Sequence, residues 1–164
     1  MTLYKILHYP NPKLRQTTKP IACVNKEIQQ LADDMLETMY EDNGIGLAAT
    51  QIGLDKQMFV IDASPDKTEP LVFINPTITQ KSGSTKYQEG CLSLPGIFAF
   101  VERASHITIT ALNREGKNFT LEASGILAIC IQHEEDHLLG KLFIDHLSPL
   151  KLQLLKKKLR ILHR

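Results

Sequence analysis

The sequence predicts an α+β fold in which mixed or antiparallel β-sheets wrap around a central helix, with further helices near the N-terminal and C-terminal ends. Two observations support this prediction. Apolar residues recur with the spacing of an amphipathic helix in residues 25–42, in residues 126–139 and again from residue 150 onward. Short runs rich in β-branched and aromatic residues lie between these stretches and predict strands. Strands enclosed by helices at both ends favour the α+β class.

The composition predicts one globular domain over residues 1–164. The 164 residues are 43% hydrophobic and 23% charged, and the net charge is +1. A nearly neutral chain has no general attraction to nucleic acid or lipid, so neither DNA nor a membrane is an expected partner. Residues 1–5 lack a signal peptide and no apolar run approaches about 18 residues, so we expect a cytoplasmic protein. Three widely spaced cysteines predict free thiols.

The first third of the chain predicts an irregular arm, a packing helix and a glycine loop. Residues 6–20 contain prolines among polar residues and are expected to lie over the surface. Residues 25–42 predict a helix with Asn25 as its N-cap and a buried stripe made by Ile28, Leu31, Met35, Leu36 and Met39. Residues 42–51 predict a loop whose glycines let backbone approach a ligand. A third glycine is missing, which argues against a dinucleotide-binding loop.

The middle of the chain predicts strands. Residues 58–62 and 71–74 are short β-type runs, and the second is expected to end at Asn75-Pro76. Residues 106–112 alternate regularly between apolar and polar side chains. With the turn at residues 113–117 and the run at residues 118–122, they predict an antiparallel hairpin.

The central helix carries the pattern His-Glu-x-x-His. Ser124 is its predicted N-cap, and Gly140 offers a left-handed stop. Residues four apart overlap on a helix, so His133 and His137 can direct two imidazoles at one cation. Glu134 then lies beside the cation, where it can take a proton from activated water without being a ligand. Ile126, Ile129 and Cys130 share the stripe with the histidines and predict an apolar pocket lining beside the metal.

This pattern also arises by chance on exposed helices. Two imidazoles on an otherwise apolar face favour the metal-site interpretation, because their burial without a partner is costly. The candidate third ligand is Cys91, which lies between glycine, serine and proline residues and is expected on a turn or strand edge. Two imidazoles and one thiolate leave a fourth position open, as in catalytic metal sites. The alternative is that Cys91 is a small core residue.

Three segments together resemble the signature motifs of the peptide deformylases, most closely the bacterial type. They are residues 44–51, 89–93 and 132–137, and the resemblance extends to residues 8–10 and 148–151. It implies a single catalytic domain that removes the formyl group from the N-terminal formylmethionine of new polypeptides. In the resemblance Cys91, His133 and His137 match the metal ligands, and Glu134 matches the general acid and base. It also implies Fe²⁺ as the native ion, with Zn²⁺, Ni²⁺ or Co²⁺ as substitutes.

The resemblance assigns further residues by position. The side-chain amide of Gln51 and the backbone N–H of Leu92 are expected to stabilise the developing oxyanion. Gly46 and its neighbours are expected to pair the peptide backbone as an added strand. The slot for the methionine side chain, and the contacts beside it, are expected to come from Ile45, Tyr87, Glu89, Gly90, Ile126, Ile129 and Cys130.

Phe98 concerns the preferred peptide substrate, and the C-terminal residues concern a possible docking partner. Many bacterial relatives carry an arginine at the rim of the peptide groove where this chain has Phe98, which alters the expected preference for residues beyond methionine. Residues 149–164 predict a C-terminal helix with leucines on one face and basic residues elsewhere. Such a helix is either an ordinary solvated helix or, as the resemblance implies, a docking element for the ribosome. We expect a monomer.

Two other functions fit the His-Glu-x-x-His pattern. A zinc-dependent peptidase usually takes its third ligand from a downstream His or Glu, whereas the candidate here is an upstream cysteine. A non-catalytic, metal-stabilised module at the ribosome is the other alternative. The remaining histidines and one cysteine are expected to be structural or without an evident role; they are His8, His106, His146, His163 and Cys23.

Overall fold

A computed structural model describes residues 2–162. Its helices are α1 (Lys26–Glu41), α2 (Gly125–Leu138) and α3 (Pro149–Leu162). Its strands are β1 (Gly46–Ala48), β2 (Met58–Ile61), β3 (Leu71–Ser82), β4 (Thr85–Cys91), β5 (Leu94–Arg103), β6 (His106–Leu112) and β7 (Asn118–Ser124). Five strands form an antiparallel sheet in the order β1-β2-β3-β6-β7, and β4 pairs with β5 in a separate antiparallel hairpin. The predicted α+β class is confirmed.

Helix α1 begins where the sequence predicts. The side chain of Asn25 accepts a hydrogen bond from the backbone N–H of Ile28 at 3.0 Å, which satisfies one of the free donors of the first turn. The apolar stripe of α1 is buried against β1 and β2. Asn43 then takes a left-handed conformation, with φ at 56°, and ends the helix.

The glycine loop is more regular than predicted. Residues 46–48 form strand β1, paired with Phe59–Ile61, and a short 3-10 helix at Ala49–Ile52 follows. The prediction of an irregular loop over residues 42–51 is therefore wrong for its second half. The cause is tertiary, because β1 has only three residues and depends on β2 for its hydrogen bonds.

Strand β3 continues past its predicted end at Asn75-Pro76, so that prediction is wrong. Asn75 has a φ of 50°, and the pairing with β6 shifts between Ile74 and Thr77. This irregularity accommodates Pro76, which has no N–H for the sheet. The Asn75 side chain instead exchanges two hydrogen bonds with the backbone of Ile21, at 2.8 and 2.9 Å. The bulge thereby fastens the N-terminal arm to the sheet.

Helix α2 lies at the centre of the fold, as predicted. It packs against β1, β2, β6 and β7, and most of its residues are buried. The N-cap position is Ser124, although its side chain makes no capping hydrogen bond. The predicted antiparallel hairpin of β6 and β7 is present, with His106 opposite Ser124 and Leu112 opposite Asn118, and β7 runs two residues past its predicted end at residue 122. This sheet therefore supports α2 along its length.

Helix α3 covers a third apolar cluster, formed with the β4–β5 hairpin and residues 142–144. Leu159 is buried there, and Leu152 and Leu155 are partly buried. The predicted helix ran to residue 164, but residues 163 and 164, including His163, lie outside the described residues, and so does the Leu162 side chain. Among the described helices, none has the length and apolarity needed to span a bilayer.

Candidate metal centre

Helix α2 brings the two histidines together. His133 and His137 lie one turn apart, both are buried, and their Nε2 atoms are 3.2 Å from each other. Their rings meet edge to face with centroids 4.9 Å apart. Two unprotonated imidazole nitrogens repel at that distance, so the arrangement suits a shared cation.

Cys91 completes the group. It ends strand β4 at the turn into β5, and its Sγ lies 3.5 Å from Nε2 of His137. The three candidate ligand atoms all lie within 4.8 Å of one another. Tetrahedral bonds of about 2.0–2.3 Å separate neighbouring ligand atoms by about 3.3–3.6 Å, and the two short separations match this spacing. Three protein ligands in such a group leave one coordination position for water or substrate.

Glu134 lies beside this group. Its Oε1 is 4.0 Å from Nε2 of His133, and its Oε2 has no hydrogen-bond partner among the described residues. Burial is the main cause that raises the pKa of the Glu134 carboxyl to about 7. Gly46 makes room for it, since a Cβ at that position would lie 2.5 Å from Oε1. A buried carboxylate with a free oxygen can accept a proton from a neighbouring water.

Gln51 has a defined amide orientation. Its Oε1 accepts a hydrogen bond from the Ala48 backbone N–H at 2.9 Å, so its Nε2 points the other way. Nε2 donates to Oγ of Ser93 at 3.2 Å and lies 3.5 Å from Sγ of Cys91. The donor is thus directed at the ligand group, and Leu92 follows Cys91 in the hairpin turn. An amide donor beside the ligand group can stabilise negative charge on an oxygen.

A buried ion-pair network contacts His133 through Nδ1, the ring nitrogen that is not in the ligand group. Its Nδ1 lies 2.8 Å from Oε1 of Glu89, and Arg103 donates two hydrogen bonds to the same carboxylate at 2.8 and 2.9 Å. Burial would raise the pKa of Glu89, but the bonds from Arg103 and His133 outweigh it and lower the pKa to about 2. Glu89, predicted as a substrate contact, directs both oxygens to these two side chains.

Sequence reasoning missed Arg103, Asp136 and Ser93. Arg103 also donates to Asp136 at 2.7 Å, and His146, predicted to be structural or on the surface, lies 2.7 Å from the same Asp136 oxygen. A signal for Arg103 was available, because the alternation of β5 places it on the same side as buried Ile97 and Val101. A charge on the inner face of a strand indicates a buried partner.

The group opens into a cavity of about 700 Å³ between β1 and the β4–β5 hairpin. Predicted residues that line it are Ile45, Gly46, Gln51, Tyr87, Glu89, Gly90, Cys91, Leu92, Ile129, Cys130, His133 and Glu134. Ile126 is 39% exposed and does not line it, whereas His8 and Phe98 do. Burial raises the pKa of the Cys130 thiol to about 12, so this thiol is uncharged where it lines the cavity. The volume suits a small ligand.

Comparisons with known proteins agree on one family. The family model described as polypeptide deformylase matches residues 3–153. A peptide deformylase of Hamiltonella defensa is 54% identical over all of this chain and 96% of its own length. A crystal structure of a peptide deformylase from Legionella pneumophila has a TM-score of 0.94 at 45% identity, covering 99% of this chain and 96% of that one. One from Thermotoga maritima has a TM-score of 0.86 at 37% identity, covering 91% and 100%.

Proposed function

The chain belongs to the polypeptide deformylase family, and from that premise we propose which of its residues carry out the reaction. It is a metal-dependent hydrolase that removes the N-formyl group from newly synthesised polypeptides. The observation that carries the assignment is the convergence of Cys91, His133 and His137 beside the buried carboxylate of Glu134.

We assign the metal to the sulfur of Cys91 and the Nε2 atoms of His133 and His137. One thiolate and two imidazoles suit first-row transition metals, and we propose Fe²⁺ as the native ion, with Zn²⁺, Ni²⁺ or Co²⁺ as functional substitutes. A divalent ion held there supplies Lewis acidity, which acidifies water and polarises a carbonyl. Metal analysis of protein purified without oxygen tests this, because a ferrous thiolate centre is prone to oxidation.

Glu134 is proposed as the general base and acid. It takes a proton from water as the water oxygen bonds to the formyl carbon, and it returns that proton to the nitrogen when the C–N bond breaks. Formate and a free amino terminus result. Meanwhile the amide of Gln51 and the backbone N–H of Leu92 donate to the formyl oxygen, on which negative charge develops. Support for this comes from the fixed amide orientation of Gln51.

The cavity supplies the proposed substrate contacts. Strand β1 is at the edge of its sheet, so backbone near Gly46 can pair an extended peptide as an added strand. Ile45, Tyr87, Ile129 and Cys130 are proposed to line the methionine slot, and Gly90 belongs to the same cavity lining. We propose that Ile126, one helical turn before Cys130, extends this slot outward.

Glu134→Gln tests the catalytic assignment. We expect at least about 10³-fold loss of kcat on formyl-Met-Ala-Ser with full metal content, because the variant keeps the ligands and loses the base. Glu135→Gln is the matched control, since Glu135 lies outside the cavity lining and this variant should keep its activity. Retained turnover in Glu134→Gln would contradict the assignment.

Peptide assays of the native protein and of Glu134→Gln distinguish the deformylase from the two alternative functions. A zinc peptidase would cleave an internal bond in an unformylated peptide, and a deformylase would not. A non-catalytic module would turn over neither peptide, and Glu134→Gln would leave its binding activity unchanged, whereas a hydrolase would lose nearly all turnover and keep its metal.

We further propose a cytoplasmic monomer that meets its substrate at the ribosome through the basic face of α3. Lys156, Lys157 and Lys158 are exposed, whereas Leu159 is buried, so the charges can be changed without removing the packing. Reversing the three lysines to glutamate should weaken co-sedimentation with ribosomes and spare hydrolysis of a short formyl-peptide. Lysine-to-arginine changes at the same positions are the control. Equal co-sedimentation of both variants would exclude this face.

A further inference from the structure

His146 is the outermost member of a side-chain network that reaches the metal centre. Its Nε2 lies 2.7 Å from Oδ2 of Asp136, and Nη1 of Arg103 donates to the same oxygen at 2.7 Å. Arg103 also donates two hydrogen bonds to Glu89, at 2.8 and 2.9 Å. Glu89 in turn lies 2.8 Å from Nδ1 of His133. Contacts of hydrogen-bond length therefore connect His146 to a proposed metal ligand.

A short 3-10 helix at Phe143–His146 places this imidazole. Residues three apart eclipse each other on a 3-10 helix, so Phe143 and His146 lie on the same side of it. The Phe143 ring lies nearly parallel to the ring of His133, with the planes at 25° and the centroids 6.0 Å apart. Asp145 caps the start of the helix by accepting from the backbone N–H of Leu142 at 3.0 Å. One short element thus contacts His133 directly through Phe143 and indirectly through His146.

The hydrogen bonds of Asp136 require Nε2 of His146 to be a donor. A carboxylate accepts hydrogen bonds and donates none, so the imidazole nitrogen facing it carries the hydrogen. Nε2 is also 3.3 Å from Nη1 of Arg103. Because both nitrogens are donors, they converge on the Asp136 oxygen and do not bond to each other. His146 and Arg103 together hold the Asp136 carboxylate in one orientation.

Arg103 depends on a carboxylate at each end of its guanidinium. Nε and Nη2 donate to Glu89, and Nη1 donates to Asp136. Burial acts to lower the pKa of Arg103, but the bonds to Glu89 and Asp136 outweigh it and raise the pKa. A buried donor that loses its partner is costly. If Asp136 turned away, the guanidinium would therefore shift, and Glu89 and the His133 ring would shift with it.

His146 is the most accessible side chain of this network. It is 37% exposed, compared with 17% for Asp136 and 4% for Arg103. It lines a second cavity of about 430 Å³, which Arg103 and Asp136 also line. The imidazole can therefore be replaced without opening the buried core, and a variant at this position should fold.

We propose that His146 is a positioning residue for His133 and acts through the ion-pair network between them. This inference rests on the proposed function, because it takes His133 to be a metal ligand. Loss of the direct partner of a metal-bound histidine weakens metal binding by about 10- to 100-fold. His146 lies three contacts beyond Glu89, so its loss should have a smaller effect, a weakening of about three- to tenfold.

The test measures Zn²⁺ affinity by competition with a chelator. His146→Ala should weaken binding by about three- to tenfold, and His146→Gln, which keeps an N–H donor near the position of Nε2, should restore most of the native affinity. His106→Ala is the matched control, because His106 is an exposed histidine on β6 that contacts Ser105 and lies outside both cavity linings. It should keep the native affinity.

A double-mutant cycle tests the route through Asp136. In an Asp136→Asn background the imidazole no longer has a carboxylate to hold, so adding His146→Ala should weaken Zn²⁺ binding by less than about twofold. A further loss as large as in the native background would show that His146 does not act through Asp136, and would overturn the proposal.

The inference and the proposed function fail differently. If the native protein binds Zn²⁺ no more tightly than Cys91→Ser does, the proposed metal centre fails. If the native protein binds Zn²⁺ through Cys91 but His146→Ala has the native affinity, the role of His146 is overturned. A loss in His146→Ala that His146→Gln does not restore would also overturn it, because the donor would then not be the property that matters.

Discussion

Glu89 and Arg103 fix the orientation of His133 through a chain of hydrogen bonds. Glu89 bonds to Nδ1 of His133 and is itself held by two bonds from Arg103, so the imidazole has one orientation and its Nε2 faces the ligand group. An ionised partner on the second nitrogen also makes the imidazole a stronger ligand. Glu89 is therefore a positioning residue.

Glu89→Gln should weaken metal binding by about 10- to 100-fold, because a neutral amide replaces the carboxylate behind His133. Competition with a chelator measures this affinity directly. Glu102→Gln is the matched control on the same hairpin, since Glu102 is exposed and, within residues 2–162, its side chain bonds only to Ser84. Equal affinities for both variants would show that the carboxylate does not tune the ligand.

Gly46 is the second residue with an indirect role. Its φ lies outside the left-handed region, so alanine is compatible with the backbone, but the added Cβ would lie 2.5 Å from Oε1 of Glu134. Gly46→Ala should displace the carboxylate and lower kcat by about tenfold or more, while metal content and melting temperature change little. Steady-state kinetics with metal analysis checks this. Native kcat in the variant would mean that Glu134 has room to move without losing its function.

At the scale of elements, α3 is both a packing helix and a candidate docking helix. Leu159 is 4% exposed in the third apolar cluster, whereas Leu154, on the same helix, is 62% exposed. Leu159→Ala should lower the free energy of unfolding by about 2–4 kcal/mol through the cavity it leaves, and Leu154→Ala by less than about 0.5 kcal/mol. Urea denaturation measures both. Similar values for the two variants would contradict the packing of α3 described here.

Because α3 packs on the third apolar cluster, deleting the helix would change stability as well as ribosome docking. Removing the helix would expose the third cluster, and any loss of ribosome binding would then have two causes. Charge reversal at the exposed lysines separates docking from stability, because it leaves Leu152, Leu155 and Leu159 in place.

At the scale of the whole molecule, the ion pair between Arg15 and Asp145 is one of those that join distant parts of the chain. Arg15 binds Asp145 through two hydrogen bonds, at 2.5 and 3.1 Å, and Asp145 also accepts from the Leu142 backbone N–H. Burial acts to raise the pKa of Asp145, but the bonds from Arg15 and Leu142 outweigh it and lower the pKa. The N-terminal arm is thereby tied to the segment after α2.

The lowered pKa of Asp145 determines how the free energy of unfolding depends on pH. The carboxylate stabilises the fold above its unfolded pKa of about 4, and this contribution is lost as the pH falls through the lower folded value. Asp145→Asn should therefore lower the free energy of unfolding by about 1 kcal/mol near neutral pH, with the difference shrinking below about pH 4. Urea denaturation across this range measures it. A difference that is constant with pH would assign the effect to packing.

Local pattern and tertiary structure contributed different parts of this site. The helical period alone predicted that His133 and His137 share a face with Glu134 beside them, because residues four apart on a helix are neighbours in any fold. The Asn25 cap and the β6–β7 hairpin were predictable for the same reason, since each depends on residues close in sequence.

The third ligand position, the contacts of Glu89 and the extents of the strands were decided only by the tertiary structure. It determined that Cys91 lies beside residues more than 40 positions away, and that Glu89 bonds to Arg103 and His133. It also determined that β1 forms within the predicted loop and that β3 extends past its predicted end. These features depend on how the strands pair and where the hairpin lies over α2. The physical reason is that a strand has no hydrogen bonds of its own, so its position and ends are set by partners that the local sequence does not specify.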